Sequence, residues 1–181
     1  MKIIAVIGSG RADGNSSKVM YQMIKGAQDA GNEVKVYNIN DIDLKGCQGC
    51  RTCRTMNCDC VIDDGLREYF EDLHTAEALL ISAPNYYSQV SGQMMIFMNR
   101  HYCMSDDNKN PRLDHKVKLV TVFSQGAAEN YAKYLPTYDW YISTFESKNF
   151  ELVSKVIIGG DSDVSDEGKI MLDAYNTGKN L

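Results

Sequence analysis

Proline is scarce, with three residues in 181, and the 14 glycines fall in no repeat, which excludes collagen-like and proline-rich architectures. No stretch approaches the roughly 18 consecutive apolar residues that a membrane span requires. An excess of positive charge is missing too. Nineteen basic side chains stand against 24 acidic ones, a net charge of −5, without the basic stripe of a nucleic-acid binder. The expectation is therefore no nucleic acid and no membrane. His74, His101 and His115 share no metal-ligand spacing, and no Ser-His-Asp or Cys-His arrangement stands out. Ordinary globular composition remains, 44% hydrophobic and 24% charged. The length suits one domain over residues 1–181, with a core that needs no disulfides. One lysine and a short apolar run open the chain, less than a secretory signal needs, so the expected location is cytoplasmic. Cysteines are then expected to be reduced, or to serve metal or redox chemistry.

Short apolar runs alternate with longer amphipathic stretches, the pattern of a parallel sheet covered by helices on both faces. Strands are expected at 3–7, 34–39, 78–83 (ended by Pro84), 117–123 and 152–158. Helices are expected at 17–30, from Asp63 to about His74, from Gly92 to Met104, from about Ala128 into the 140s, and from Asp166 to about Gly178. No linker or repeat divides them. The expected class is a three-layer α/β fold with a five-stranded parallel sheet of order 2-1-3-4-5, an order that periodicity alone does not separate from other doubly wound ones.

Between the first strand and the first helix lies Gly8-Ser9-Gly10-Arg11-Ala12-Asp13-Gly14-Asn15-Ser16-Ser17. Small residues let backbone amides converge, and a helix start adds its positive end, so this is a candidate anion site. Ser9, Asn15, Ser16 and Ser17 supply short donors and Arg11 a cation. There is neither GxxxxGK[ST] nor GxGxxG, so a terminal phosphate monoester is expected rather than a bridging pyrophosphate. The competing reading is a merely polar turn.

This loop resembles the FMN-phosphate loop of the NADPH-dependent FMN reductase-like proteins, a flavodoxin-like group that also contains the iron–sulfur flavoproteins. Pro84-Asn85-Tyr86-Tyr87-Ser88-Gln89-Val90-Ser91-Gly92-Gln93-Met94 resembles the segment that holds the isoalloxazine ring in that family, and Ser124-Gln125-Gly126-Ala127 its third flavin-contacting loop. Departures are Gly10 where proline is common, Asn99 for aspartate before Arg100, and Ser-Gln in the third loop. The resemblance implies Ser9, Arg11, Asn15, Ser16 and Ser17 around the phosphate. It further implies Pro84, Asn85, Tyr86 and Tyr87 along the ring, and Ser124, Gln125 and Gly126 at its other edge and the ribityl chain. Arg100 reads as a structural salt-bridge partner rather than a catalytic group. The family also implies a homodimer or homotetramer.

Five of six cysteines crowd between Cys47 and Cys60. Cys47, Cys50, Cys53 and Cys58 form a CxxCxxCxxxxC set able to turn four thiolates to one centre, which a [4Fe–4S] cluster needs, and the set resembles the compact motif of the iron–sulfur flavoproteins. Cys60, directly before Val61-Ile62-Asp63-Asp64, competes as fourth ligand. A four-thiolate zinc site, a redox dithiol and plain packing thiols are the other readings. Cys103, in an apolar segment, is expected to be a buried small hydrophobe.

Together these imply an FMN-dependent oxidoreductase that passes electrons from NAD(P)H to a flavin, quinone or ferric acceptor. If a cluster is present, electrons would pass through it and a redox protein would be an alternative donor. No catalytic side chain is expected, because hydride transfer to flavin needs no acid. The alternative is a flavodoxin-like or iron–sulfur electron carrier without turnover.

Overall fold

The computed structural model describes all 181 residues. Five strands run parallel in one sheet: β1 (Lys2–Ile7), β2 (Glu33–Asn38), β3 (Ala78–Tyr86), β5 (Val117–Ser124) and β6 (Phe150–Ile158). Their order is β2-β1-β3-β5-β6, which among the long strands is the expected 2-1-3-4-5. Two-residue β4 (Gln89–Val90) folds back antiparallel on the end of β3.

The helices are α1 (Asn15–Asp29), α2 (Thr52–Thr55), α3 (Arg67–Leu73), α4 (Gly92–Arg100), α5 (Leu135–Glu146) and α6 (Lys169–Lys179), with a 3-10 turn at His101–Met104 after α4. β1 shows why its run is unbroken in apolarity. Ile3, Ala5 and Ile7 join one core beneath α1 and α6, while Ile4 and Val6 join a second core with α3, α4 and α5. A strand buried on both faces has no side for a polar residue. The backbones of α1 and α6 nearly touch. A Cβ on Gly26 would lie 2.0 Å from the Tyr175 carbonyl oxygen, and one on Gly178 would lie 1.8 Å from that of Met23. Only glycine permits this crossing.

Several boundaries differ from the sequence expectation by two or more residues, among them the closing helix, which begins at Lys169 rather than Asp166, and three of them have a plain physical reason. Pro84 lies inside β3 instead of ending it. The Ser82 carbonyl accepts from Gly8 N, so Pro84, two residues on, faces the same edge, where β1 has already become loop. Its missing N–H costs no ladder bond. The helix expected from Asp63 begins at Arg67, because Asp64 is drawn to Arg100 and caps Leu66 N with Oδ1 (3.0 Å). The helix expected from Ala128 begins at Leu135. The Ala127 carbonyl is taken by Gly160 N (3.0 Å), and Pro136 suits a first turn that needs no N–H. No helix is long and apolar enough to cross a membrane.

Candidate functional site

The loops after β1, β3 and β5 meet at the carboxyl ends of the strands and enclose a polar cleft of about 240 Å³. Parallel α/β sheets bind ligands at this end, where strand order reverses. The first wall is the loop from Gly8 into α1. The Arg11 carbonyl gathers it, accepting from Ser9 Oγ (3.1 Å), Ser17 Oγ (3.0 Å) and Gly14 N (3.1 Å). Ser9 Oγ also accepts from Arg11 N (3.1 Å). The turn is thus closed by its own polar atoms. α1 starts at Asn15 behind Gly14 with no side-chain cap and no acidic residue in its first turn. Its first amides have no intrahelical acceptor, so the positive helix end opens on the cleft. Arg11 contributes an exposed cation, its side chain 70% accessible and 3.6 Å from Asp13 Oδ1.

The second wall is Pro84, Asn85 and Tyr86 at the end of β3. A two-residue hairpin of Tyr87 (φ 55°) and Ser88 (φ 68°) then leads into β4. Two consecutive positive φ angles are what a tight hairpin with the strands' twist demands, although glycine and asparagine fit it better. Ser91, the N-cap of α4, donates Oγ to the Gly8 carbonyl (2.9 Å) and ties the first wall to the second. The third wall is Ser124, Gln125 and Gly126. Gln125 is buried: its backbone N donates to Ile158 O (2.9 Å), Nε2 donates to Ala128 O, and Oε1 accepts from Tyr138 OH (2.7 Å).

Ten of the twelve residues singled out in the sequence stand around this cleft: Ser9, Arg11, Asn15 and Ser16, then Pro84, Asn85 and Tyr86, then Ser124, Gln125 and Gly126. Two do not. Ser17 is fully buried with its hydroxyl committed to Arg11 O, and Tyr87 projects fully exposed from the hairpin tip. Gly14 joins the wall although no side chain announced it. Tyr138 lies behind the cleft, bonded to both Asn85 and Gln125. Its place in α5 gave no sequence signal, because it reads as one more apolar-face aromatic.

The thiols do not form a ligand set. All six cysteines are free, and no three His, Cys, Asp or Glu side chains stand close enough to share a metal ion. Cys47 and Cys50 are exposed, Cys53 is buried, and Cys58 and Cys60 are half-buried. Arg51, at φ 61°, starts the four-residue α2, which turns Cys53 into the core while Cys47 and Cys50 stay outside. Cys60 Sγ instead accepts from Arg100 Nε at 3.2 Å. The arrangement of Cys47, Cys50, Cys53 and Cys58 therefore does not fit a [4Fe–4S] cluster, contrary to the expectation from spacing. Thiol chemistry is correspondingly split. Hydrogen bonds from the Thr52 hydroxyl and amide lower the pKa of Cys50, whereas burial raises that of Cys53 and pushes Cys103 up to about 12.

Nor does the segment need a cluster to be ordered. Arg100 reaches Asp64 in an ion pair with both side chains at 0% exposure, and also donates to the Lys45 carbonyl (2.8 Å). Burial alone would raise the Asp64 carboxyl, but Arg100 and the amides of Lys45 and Leu66 hold it below the usual range. Arg54 lies 4.1 Å from the Tyr102 ring centre, and Arg112 bonds both Asp59 Oδ1 and the Cys103 carbonyl at 3.0 Å. Arg100 is thus the structural partner that the sequence indicated.

Comparison with known proteins places this geometry. An iron–sulfur flavoprotein of Archaeoglobus fulgidus is 30% identical over 137 residues, 75% of this chain and 60% of that protein. One from Methanosarcina thermophila is 29% identical over 130 residues, 72% of this chain and 65% of that protein. These matches span less than two thirds of either relative. Among solved structures, an NAD(P)H:quinone oxidoreductase from Methanothermobacter marburgensis superposes with a TM-score of 0.77 at 17% identity, covering 100% of this chain and 98% of the other. An azoreductase from Bacillus anthracis superposes at 0.75 and 12% identity, covering 99% of both. The fold is therefore the three-layer flavodoxin-like one. Residues 1–137, which carry all three cleft loops, match the family model described as NADPH-dependent FMN reductase, and the chain belongs to that family.

Proposed function

We propose that the chain binds FMN in this cleft and acts as an oxidoreductase between NAD(P)H and a small acceptor of the flavin, quinone or ferric class. The observation that carries the reading is the uncapped start of α1 facing a loop closed on the Arg11 carbonyl. Free amides, the Ser16 hydroxyl, the Asn15 amide and the Arg11 cation make a monophosphate cradle at a helix N-terminus, with Ser9 Oγ closing the turn beneath it. Ser124, Gln125 and Gly126 then border the tail and one ring edge, and Pro84, Asn85 and Tyr86 the other. When bound, FMN supplies the hydride-accepting chemistry; the protein holds it, orients it and presents fixed dipoles to it. The reading includes no step through a [4Fe–4S] cluster, since Cys47, Cys50, Cys53 and Cys58 form no ligand set in this arrangement.

At about 240 Å³ the cleft is small beside ligand pockets of roughly 300–1,000 Å³. The ring must therefore project past Tyr86 and be covered by something else. A second copy of the chain is the partner we propose. Trp140, 59% exposed, lines a shallow depression with Gln89, Met95 and Pro136, and the exposed Tyr87 lies in the hairpin that leads to Gln89. Met94, Phe97 and Met98 of α4 are buried in the core, so Met95 and Ile96, both half-buried, are the apolar side chains of that helix left toward a partner. Sedimentation of a monomer at micromolar concentration would remove this part of the proposal.

The cofactor is tested by heating the purified protein and separating the released flavin against standards. FMN is expected, and FAD or no flavin would overturn the assignment. Steady-state oxidation of NAD(P)H with quinone, ferric chelate or free flavin tests turnover. A flavin-loaded protein that shows none with any of them is a carrier instead.

A further inference from the structure

Behind the cleft, four groups form a chain of hydrogen bonds whose direction is set at one end. The Ala128 carbonyl can only accept, so Gln125 turns its Nε2 toward it and donates. Gln125 Oε1 is left on the other side, where it accepts the Tyr138 hydroxyl at 2.7 Å. A phenol has one proton. Having given it to Gln125, Tyr138 can only accept from its remaining neighbour, and Asn85 Nδ2 donates to it at 3.0 Å. The Asn85 amide therefore has its amino group turned inward and its carbonyl oxygen turned away. Thr121 Oγ1 is the one buried side-chain polar atom without a partner. Asn85 Oδ1, which takes part in none of these bonds, is thus open, on a residue that lines the cleft.

Tyr138 is well placed to keep this arrangement. It is fully buried and stacks on Phe123 with ring centres 4.2 Å apart and planes 8° from parallel, so the ring cannot swing aside. Burial raises the pKa of its phenol, which stays a donor at neutral pH. An unpinned asparagine would offer the cleft either end of its amide, and the amino end would set donor against donor. We infer that Tyr138 is a positioning residue: it holds the Asn85 amide so that Oδ1 accepts a ring N–H of the bound ligand. The inference rests on the FMN reading above. Oxidised isoalloxazine carries its one ring N–H at N3, and reduction adds further N–H groups. Both sources are the same donor chemistry.

The test is FMN titration of wild type, Tyr138→Phe, Asn85→Ala and the double variant, with the midpoint potential of bound FMN measured for each. Tyr138→Phe keeps the stacked ring and removes only the hydroxyl. Losing the pinned acceptor should weaken FMN about fivefold in Tyr138→Phe and about tenfold in Asn85→Ala, as for one net hydrogen bond. The double variant should bind no worse than Asn85→Ala alone, because Tyr138 acts through Asn85. An N3–H donor gives the loss in both redox forms. An N–H gained on reduction gives it in the reduced form alone, read as a more negative potential. Unchanged affinity in both forms, or single effects that multiply in the double variant, overturns the inference while leaving FMN binding in place. Wild type that binds no FMN at micromolar concentration overturns the FMN reading and the inference with it. If Tyr138→Phe does not fold, side-chain amide NMR of wild type decides. The Asn85 Nδ2 protons should be protected from exchange, and fast exchange refutes the relay.

Discussion

His101 gives the most direct check on the packing of the second core. It is 1% exposed and ringed by Tyr69, Phe97 and Phe145, with ring centres 5.5, 4.6 and 4.9 Å away. Nδ1 lies 2.9 Å from the Phe97 carbonyl, which can only accept, so Nδ1 carries the proton. Nε2 is then bare and accepts the Tyr69 hydroxyl at 2.7 Å. A second proton would place a charge among aromatic rings, and this burial pushes the imidazole down to about 3. The sign follows from linkage. Between the unfolded value and about 3 the native state binds fewer protons, so stability falls as pH drops below the unfolded value of roughly 6.5. At pH 5 the loss is 1.5 units below that value, about 2 kcal/mol, and the ceiling near pH 3 is about 5 kcal/mol. Other groups titrate here too, so the measurement is a difference. Urea unfolding of wild type and His101→Gln is followed at pH 7.5, 6.5, 5.5 and 5.0 at one fixed FMN concentration. The glutamine variant is less stable at pH 7.5, and the gap should narrow by about 2 kcal/mol at pH 5. A gap independent of pH would mean that His101 is solvated or protonated in the native state, and the reasoning fails.

Arg100→Met leaves Asp64 buried without its cation and should destabilise the chain by about 3–5 kcal/mol in urea, with Arg100→Met/Asp64→Leu clearly milder. A small single effect would mean that water reaches the pair. Arg11→Ala should weaken FMN by about 1 kcal/mol, less than the roughly 1.5–3 kcal/mol of a charge-assisted bond, because its side chain is exposed. Titration with unchanged affinity would take Arg11 out of the cradle. Protein purified and handled without air should show flavin absorbance and no stoichiometric iron or sulfide, because the thiols do not meet. Four irons per chain would require the 47–58 segment to rearrange and would reinstate the cluster.

The cleft was legible in the sequence to the extent that local chemistry announces it. Gly8 to Ser17 combines small residues, short donors and a helix start, and ten of twelve named positions stand around one space. The two that do not were misplaced by facts beyond local sequence. Ser17 is one residue too far into α1, where the helix turns its hydroxyl back to the Arg11 carbonyl. Tyr87 sits at positive φ in a hairpin, which points it outward while Tyr86 faces the cleft. The cysteine spacing permitted convergence without requiring it. Left-handed residues at Gly49, Arg51 and Asn57 turn the segment, and the buried guanidinium of Arg100 holds Cys60, so the thiols meet different surroundings.

The sequence by itself determined the class of fold, because apolar runs such as Ile3–Ile7 can only be satisfied between two helical layers, whereas periodicity left the strand order open among doubly wound arrangements. It also singled out the loop after β1 as a wall of the cleft, since glycines, hydroxyls and a helix start within ten residues act over a few ångströms. Tertiary structure alone decided which carboxylate Arg100 meets, that His101 is kept neutral, and which way the Asn85 amide faces. Each of those depends on a partner brought from another part of the chain: 36 residues away for Asp64, 32 for Tyr69 and 53 for Tyr138. Hydrogen-bond direction and desolvation are properties of such meetings, and no local pattern of residues encodes them.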